Sequence, residues 1–208
     1  MLHILLGSLM LSLIHAAIPN HWLPLVVISK AQRWSHAEAL AITALTGAAH
    51  ASSTILIGIF VGLLGQRLAA DSRLVWLVPG LLLLGLGIAY LVLDLRGHSS
   101  HEHIPPEATA PSRSPTAALV LSLSAAMFLS PCIEIEAYYL QGGAYGWTGV
   151  ALISLLYLAV TVLGMVVLVH LALRGARRIR SRYLEHHERQ ASGLVLLALG
   201  LFTLLVHP

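Results

Sequence analysis

Residues 14–22 of the chain read IHAAIPNHW, an apolar stretch with a proline at its centre. Apolar residues extend on both sides, and residues 3–29 together are long enough to cross the ~30 Å hydrocarbon core of a membrane as a helix. Proline removes one backbone hydrogen bond and clashes with the preceding turn, so we predict a helix that is kinked or broken at Pro19, near the middle of the membrane. His15 and His21 lie on either side of the predicted break.

The composition indicates that most of the chain lies in lipid. Of its 208 residues 57% are hydrophobic and only 10% are charged, whereas a soluble domain has roughly 25% charged residues. A water-soluble globule is therefore excluded, and a single cysteine excludes an internal disulfide. We predict an all-α integral membrane protein with six transmembrane helices, at residues 3–29, 38–65, 73–95, 116–140, 147–173 and 191–206.

The distribution of basic residues predicts the orientation, because Lys and Arg in short loops favour the cytoplasmic side. Two of the 12 basic residues, Arg67 and Arg73, lie between the second and third spans, and the other ten lie in the three connections on the opposite side. We therefore expect the N- and C-termini outside. Anionic lipid explains the arginine-rich connection before the last span, so no nucleic-acid partner is expected.

Three spans on each side of a cytoplasmic connection predict two inverted three-helix repeats, an arrangement common in secondary transporters. The proposed units are residues 1–95, a His-rich cytoplasmic linker at 96–115, and residues 116–208. Residues 12–21 and 124–133 support this division, because serine and proline recur in them at the same offset. The second proline, Pro131, predicts that the first helix of the second half is broken too.

Histidine is unusually frequent, with 12 residues against 12 lysines and arginines together. Ionisable residues inside a membrane are costly and need either a partner or a function. Imidazole, thiolate and carboxylate groups together suit a divalent transition metal such as Zn, Ni, Co or Fe. The predicted metal ligands near the two breaks and in the second span are His15, His21, His50, Cys132, Glu134 and Glu136, and no catalytic residue is assigned.

A second histidine group lies in the linker, where residues 97–103 read GHSSHEH. Short His-rich tracts can bind metal, so we expect His98, His101 and His103 to capture ions in the cytoplasm. A polar linker with incidental histidines is the alternative.

Taken together, the stretch HxxxPNH at 15–21, the mid-helix His50, the stretch SPCIE at 130–134 and the His-rich loop resemble the LysE-type transporter superfamily. The resemblance is greatest to its NicO-type nickel/cobalt exporter branch. It implies a multi-pass protein of a bacterial-type inner membrane that exports cations or amino acids, and members of this superfamily are often homodimers. Asn20 stands where the nickel exporters carry an acidic residue.

These observations predict a transporter that exports a divalent metal ion by alternating access, with protons competing for the histidines, whose reference pKa is ~6.5. Three alternative functions give these residues a different role or none. An intramembrane metalloenzyme would hold a catalytic metal at this site. An exporter of a small organic cation or amino acid would depend on Glu134 and Glu136, and an accessory membrane subunit would depend on none of them.

Overall fold

The computed structural model describes residues 1–68, 72–95, 116–175 and 194–205, and 89% of these are helical, with no strand among them. The all-α fold class predicted from the sequence is therefore confirmed. The described helices are α1 (Leu2–Ala17), α2 (Pro19–Ala31), α3 (His36–Leu68), α4 (Ser72–Leu95), α5 (Thr116–Phe128), α6 (Glu136–Gly143), α7 (Gly146–Leu173) and α8 (Leu194–Leu205).

The structure contains three helical segments that are long and apolar enough to cross a membrane, which indicates a membrane protein. They coincide with the first, second and fifth predicted spans. The other three predicted spans contain shorter apolar helices in the described part of the chain. The long segments are Leu2–Ala31, His36–Arg67 and Gly146–Leu173, and the shorter ones are Leu77–Ala89, Ala117–Phe128 and Leu194–Leu205.

The first predicted span is interrupted at Ile18, next to Pro19 as the sequence predicted. α1 ends at Ala17, Ile18 has an extended backbone (φ −63°, ψ 127°), and α2 begins at Pro19. A following proline favours this backbone conformation, and the first position of a helix needs no N–H donor. The Trp22 indole donates to the Ala17 carbonyl at 3.3 Å. It thereby satisfies an acceptor that the helix end leaves without a helical partner.

The fourth predicted span is also interrupted, around Pro131. α5 ends at Phe128 and α6 begins at Glu136, so residues 129–135 form turns instead of helix. The Cys132 N–H donates to the Thr54 hydroxyl oxygen at 3.0 Å. This hydrogen bond fixes the interrupted segment 129–135 to the middle of α3.

The two long helices α3 and α7 form the centre of the bundle. α1 packs on α7 and α5 packs on α3, while α2 also contacts α7 and α6 also contacts α3. Each interrupted helix therefore lies against the long helix from the other part of the chain. Large apolar side chains cover the outside, as lipid contact requires; Phe60 is 73% exposed and Leu155 is 66% exposed.

Contacts at the two ends of the bundle show which chain connections lie together. At one end the Met1 amino group donates to the Tyr145 hydroxyl at 3.3 Å, so the N-terminus lies beside the α6–α7 connection. At the other end ring nitrogens of His36 and His170 are 2.9 Å apart, so the start of α3 lies beside the end of α7. The linker 96–115 lies outside the described residues.

Glycines on α3 allow the short helix α6 to approach closely. A Cβ added at Gly58 would lie 2.5 Å from the Tyr139 ring, and one added at Gly65 would overlap the Leu140 carbonyl oxygen. A ring can rotate away from an added methyl group, but a backbone carbonyl moves only with its helix. The position of α6, and of the interrupted segment 129–135 that precedes it, therefore depends on Gly65.

We expect Gly65→Ala to destabilise the fold by about 1–3 kcal/mol, because overpacking forces a shift of helix backbone. Gly85→Ala on α4 is the matched control, since an added Cβ there meets nothing within 4 Å. The control should be neutral or gain up to about 1 kcal/mol from helix propensity. Thermal unfolding in detergent measures both variants. Equal midpoints for the two would contradict the close packing at Gly65.

Candidate metal site

Three histidines from three helices meet in the interior of the bundle. His15 lies in the last turn of α1, His21 in the first turn of α2 and His50 in the middle of α3. The ring centroids are 4.5 Å apart for His15 and His21, 4.7 Å for His21 and His50, and 5.5 Å for His15 and His50. One nitrogen from each ring lies within 4.8 Å of the others, so the group could hold a metal ion.

The interrupted segment 129–135 brings a thiol and a carboxylate to the same place. Cys132 Sγ lies 3.4 Å from His15 Nδ1, and its S–H donates to Glu134 Oε2 at 2.8 Å. Ligand atoms of His15, Cys132 and Glu134 also lie within 4.8 Å of one another. The structure therefore groups five of the six interior residues that the sequence singled out.

Hydrogen bonds on the outer side of the rings determine where the imidazole protons lie. His50 Nδ1 is 3.3 Å from the Met127 carbonyl oxygen, which can only accept, so this nitrogen carries the proton. The Cys132 proton is used on Glu134, so the sulfur accepts from His15 Nδ1. Both rings then present an unprotonated Nε2 to the centre of the group.

The distance between these two Nε2 atoms fits a shared ion. They lie 3.2 Å apart, and two nitrogens bound to one tetrahedral Zn²⁺ at about 2.05 Å would lie about 3.3 Å apart. Two facing lone pairs repel each other unless a cation lies between them. Histidines that bind metals commonly donate their other N–H to a carbonyl or carboxylate group, as His50 does here.

This geometry gives the two sets of predicted ligands different roles. His15 directs Nε2 to His50 and Nδ1 to Cys132, so an ion in the centre of the group would be bound by imidazole nitrogens. Cys132 and Glu134 then orient His15 and supply negative charge behind it. A carboxylate near three neutral imidazoles lowers the cost of holding a dication in a poorly solvated interior.

Tyr157 on α7 is a site residue that sequence reasoning missed. It is fully buried, and its hydroxyl lies 3.5 Å from His50 Nε2. Its ring centroid is 6.3 Å from that of His15. The one signal in the sequence is a polar aromatic residue in the middle of the apolar stretch 147–173, which does not indicate a partner on another helix.

Glu136 stays apart from the groups of described residues that could hold an ion. It is the first residue of α6, beyond the irregular stretch that lets Cys132 and Glu134 reach one centre. Both of its carboxylate oxygens are buried without a hydrogen-bond partner in the described part of the chain. The predicted cytoplasmic ligands His98, His101 and His103 lie outside the described residues.

Buried apolar side chains pack on both sides of the three-histidine group along the bundle, while His21 itself is partly exposed. Towards the end that carries His170, a cluster of buried side chains joins α2 to α7; it consists of Leu25, Val26, Met165 and Val169. Towards the Met1 end, the larger core includes Ile4, Leu11 and Tyr138. A small cavity beside His15 and Glu134 is lined by Leu11, Ile14, Ile18, Val195 and Leu196.

No family model, curated protein or solved structure matches the chain. Function is therefore inferred from the chemistry of the three-histidine group and from its position between the interrupted helices.

We expect His50→Ala to abolish high-affinity binding of Zn²⁺ or Co²⁺, because it removes one of three nitrogen ligands. The loss of metal affinity should exceed the loss of roughly 10–100-fold that follows removal of a residue hydrogen-bonded to a ligand. His3→Ala, which changes the same residue type near the Met1 end, should bind as the wild type does. Equilibrium dialysis of the purified proteins measures both variants, and unchanged binding by His50→Ala would contradict the three-histidine site.

Cys132→Ser tests whether the thiol is a direct ligand. A hydroxyl can also accept from His15 and donate to Glu134, so we expect less than about a 10-fold loss of metal affinity. Cys132→Ala interrupts both hydrogen bonds and should cost about 10–100-fold. The same dialysis assay compares them. If both variants lose binding completely, Cys132 coordinates the ion itself.

Proposed function

We propose that this protein is an integral-membrane transporter that carries a divalent transition-metal ion, one of Zn²⁺, Ni²⁺, Co²⁺ or Fe²⁺, across the bilayer by alternating access. The observation that carries the proposal is the meeting of His15, His21 and His50 at a helix break, beside Cys132 and Glu134 from a second break. Transporters commonly place substrates where discontinuous helices meet. The ion is the transported substrate in this account, and the imidazoles hold it between the two halves.

The contacts between helices support a division into two related halves. The first half has an interrupted helix (α1 and α2), a long helix (α3) and α4, and α5 to α8 follow the same order. The interrupted helix of each half packs against the long helix of the other. α4 and α8 meet at Gly80 and Gly200, where an added Cβ on each would approach the other's carbonyl oxygen, at 3.4 and 3.0 Å. Two inverted repeats of three spans account for all of these contacts.

The apolar clusters above and below the histidines support an occluded intermediate. An alternating-access protein must close both paths to its site at one stage of the cycle. Movement of the first half against the second would separate Leu25 and Val26 on α2 from Met165 and Val169 on α7. That movement would connect the three-histidine group with the end of the bundle that carries both His36 and His170.

The resemblance to the LysE-type superfamily and its NicO-type branch supports export from a bacterial-type inner membrane. The residues that carry the resemblance include His15, His50 and the stretch 130–134, and these residues meet around one site. Basic residues in three connections favour a cytoplasmic location for the end that carries His36. In this orientation His98, His101 and His103 would gather ions on the side from which export begins.

An intramembrane metalloenzyme is the second candidate, and the cavity beside His15 favours it. Three histidine ligands leave one position of a tetrahedral metal open for water or substrate, as in many catalytic zinc sites. The cavity lies next to His15 and Glu134 and is otherwise apolar. Such an enzyme would bind metal in stoichiometric amount relative to the protein without moving it across a bilayer.

Flux in proteoliposomes tests the proposal. We expect purified protein to move one of the four metals down an imposed gradient, detected by a metal-sensitive dye inside the vesicles. His15→Ala and His50→Ala should reduce the flux to that of empty vesicles, because they remove ligands that an ion must exchange during transit.

His3→Ala is the control for this assay and should transport like the wild type. Bound metal without flux in wild-type vesicles would contradict transport and support the enzyme. If the wild-type protein shows no bound metal and no flux, both the transporter and the metalloenzyme are contradicted. The organic-substrate exporter and the accessory subunit would then remain.

A further inference from the structure

A second pair of histidines joins two helices at the surface of the bundle. His36 is the first residue of α3, and His170 lies in the last turn of α7. His36 Nε2 is 2.9 Å from His170 Nδ1, and the ring centroids are 4.8 Å apart with an angle of 72° between the ring planes. The two residues are 134 positions apart from each other in the sequence, and their contact is exposed to solvent.

This pair is distinct from the three-histidine group. His36 and His50 are 14 residues apart on one helix, which corresponds to about 21 Å at about 1.5 Å per residue. The apolar cluster of Leu25, Val26, Met165 and Val169 lies between the two. An ion bound at one place therefore shares no ligand with an ion bound at the other.

We propose that His36 and His170 form a second metal site, which binds a divalent transition-metal ion at the surface through two imidazole nitrogens, with water completing the coordination. Imidazole is the commonest protein ligand for such ions, and the exposed position leaves room for water ligands. Two nitrogens on one tetrahedral ion stand about 3.3 Å apart. The two nitrogens now share a hydrogen bond at 2.9 Å, so metal binding requires the proton to move to the other nitrogen of its ring. The pair must also open by about 0.4 Å, which side-chain rotation at the surface supplies.

The surroundings predict that this site binds more weakly than the buried one. It offers two protein ligands instead of three, and the positive charge of Arg174 acts on His170. The nearby carboxylate of Glu38 accepts from the Ser35 N–H at 2.7 Å and caps the start of α3. We therefore expect a metal ion at this site to exchange rapidly with ions in solution.

An ion at this pair would connect the two halves of the protein. α3 carries His50 and α7 carries Tyr157, so the pair lies at the end of the two helices that flank the three-histidine group. A bound ion would hold the start of α3 against the end of α7.

Calorimetric titration of the full-length protein in detergent, with Zn²⁺ alone as the probe, tests the inference. The histidines of the two connections are first replaced by alanine so that they do not contribute; they are His98, His101, His103, His186 and His187. In this background we expect a tight and a weak class of site. His36→Ala and His170→Ala should each remove the weak class, while the retained tight class shows that the fold is intact.

Matched variants separate this inference from the proposed function. His50→Ala should remove the tight class and keep the weak one, His3→Ala should keep both, and His170→Cys should retain weak binding because thiolate also binds Zn²⁺. Weak binding that persists in His36→Ala and in His170→Ala would overturn the inference, as would absence of a weak class in the starting background. Weak binding without a tight class would uphold this site and contradict the three-histidine site.

Discussion

The missing N–H of Pro19 is the constraint on which the candidate site depends. In a continuous helix, His15 and His21 would be displaced by about 9 Å along the axis and by about 120° around it, too far for one ion. Proline instead favours extended backbone at Ile18 and starts a new helix, and the two ring centroids lie 4.5 Å apart. The helix break therefore brings together two imidazoles that a regular helix would keep separate.

The second break has a different role, because it orients the histidine rings through contacts with the nitrogens that face away from the centre of the group. α5 ends near Met127, whose carbonyl accepts from His50 and so directs the other ring nitrogen to the centre of the group. The irregular stretch that follows places Cys132 against His15 and Glu134 against Cys132. One half of the chain thus supplies the imidazoles, and the other fixes their orientation and adds a negative charge. In the proposed transport cycle, a movement of one half against the other would alter the orientation of the imidazoles and so favour release of the ion.

Sequence reasoning predicted the helical fold, both breaks and the three interior histidines, because proline chemistry and the cost of polar groups in lipid act locally. It could not assign separate roles to His15 and Cys132, since these depend on which ring nitrogen faces which neighbour. Tyr157 was missed because its contact with His50 joins residues 107 positions apart. The His36–His170 contact depends in the same way on how α3 and α7 align. Glu136 was grouped with Glu134 because both follow the break at Pro131, whereas α6 begins at Glu136 and separates them.

X-ray absorption spectroscopy of the zinc-loaded protein, in a background with His98, His101 and His103 replaced by alanine and at one metal per chain, tests the central claim most directly. The account predicts three imidazole nitrogens at about 2.0–2.1 Å, no sulfur neighbour, and one light atom from water completing the shell. A sulfur neighbour at about 2.3 Å, or a shell with fewer than two imidazoles, would contradict the claim that the break at Pro19 builds a three-histidine site.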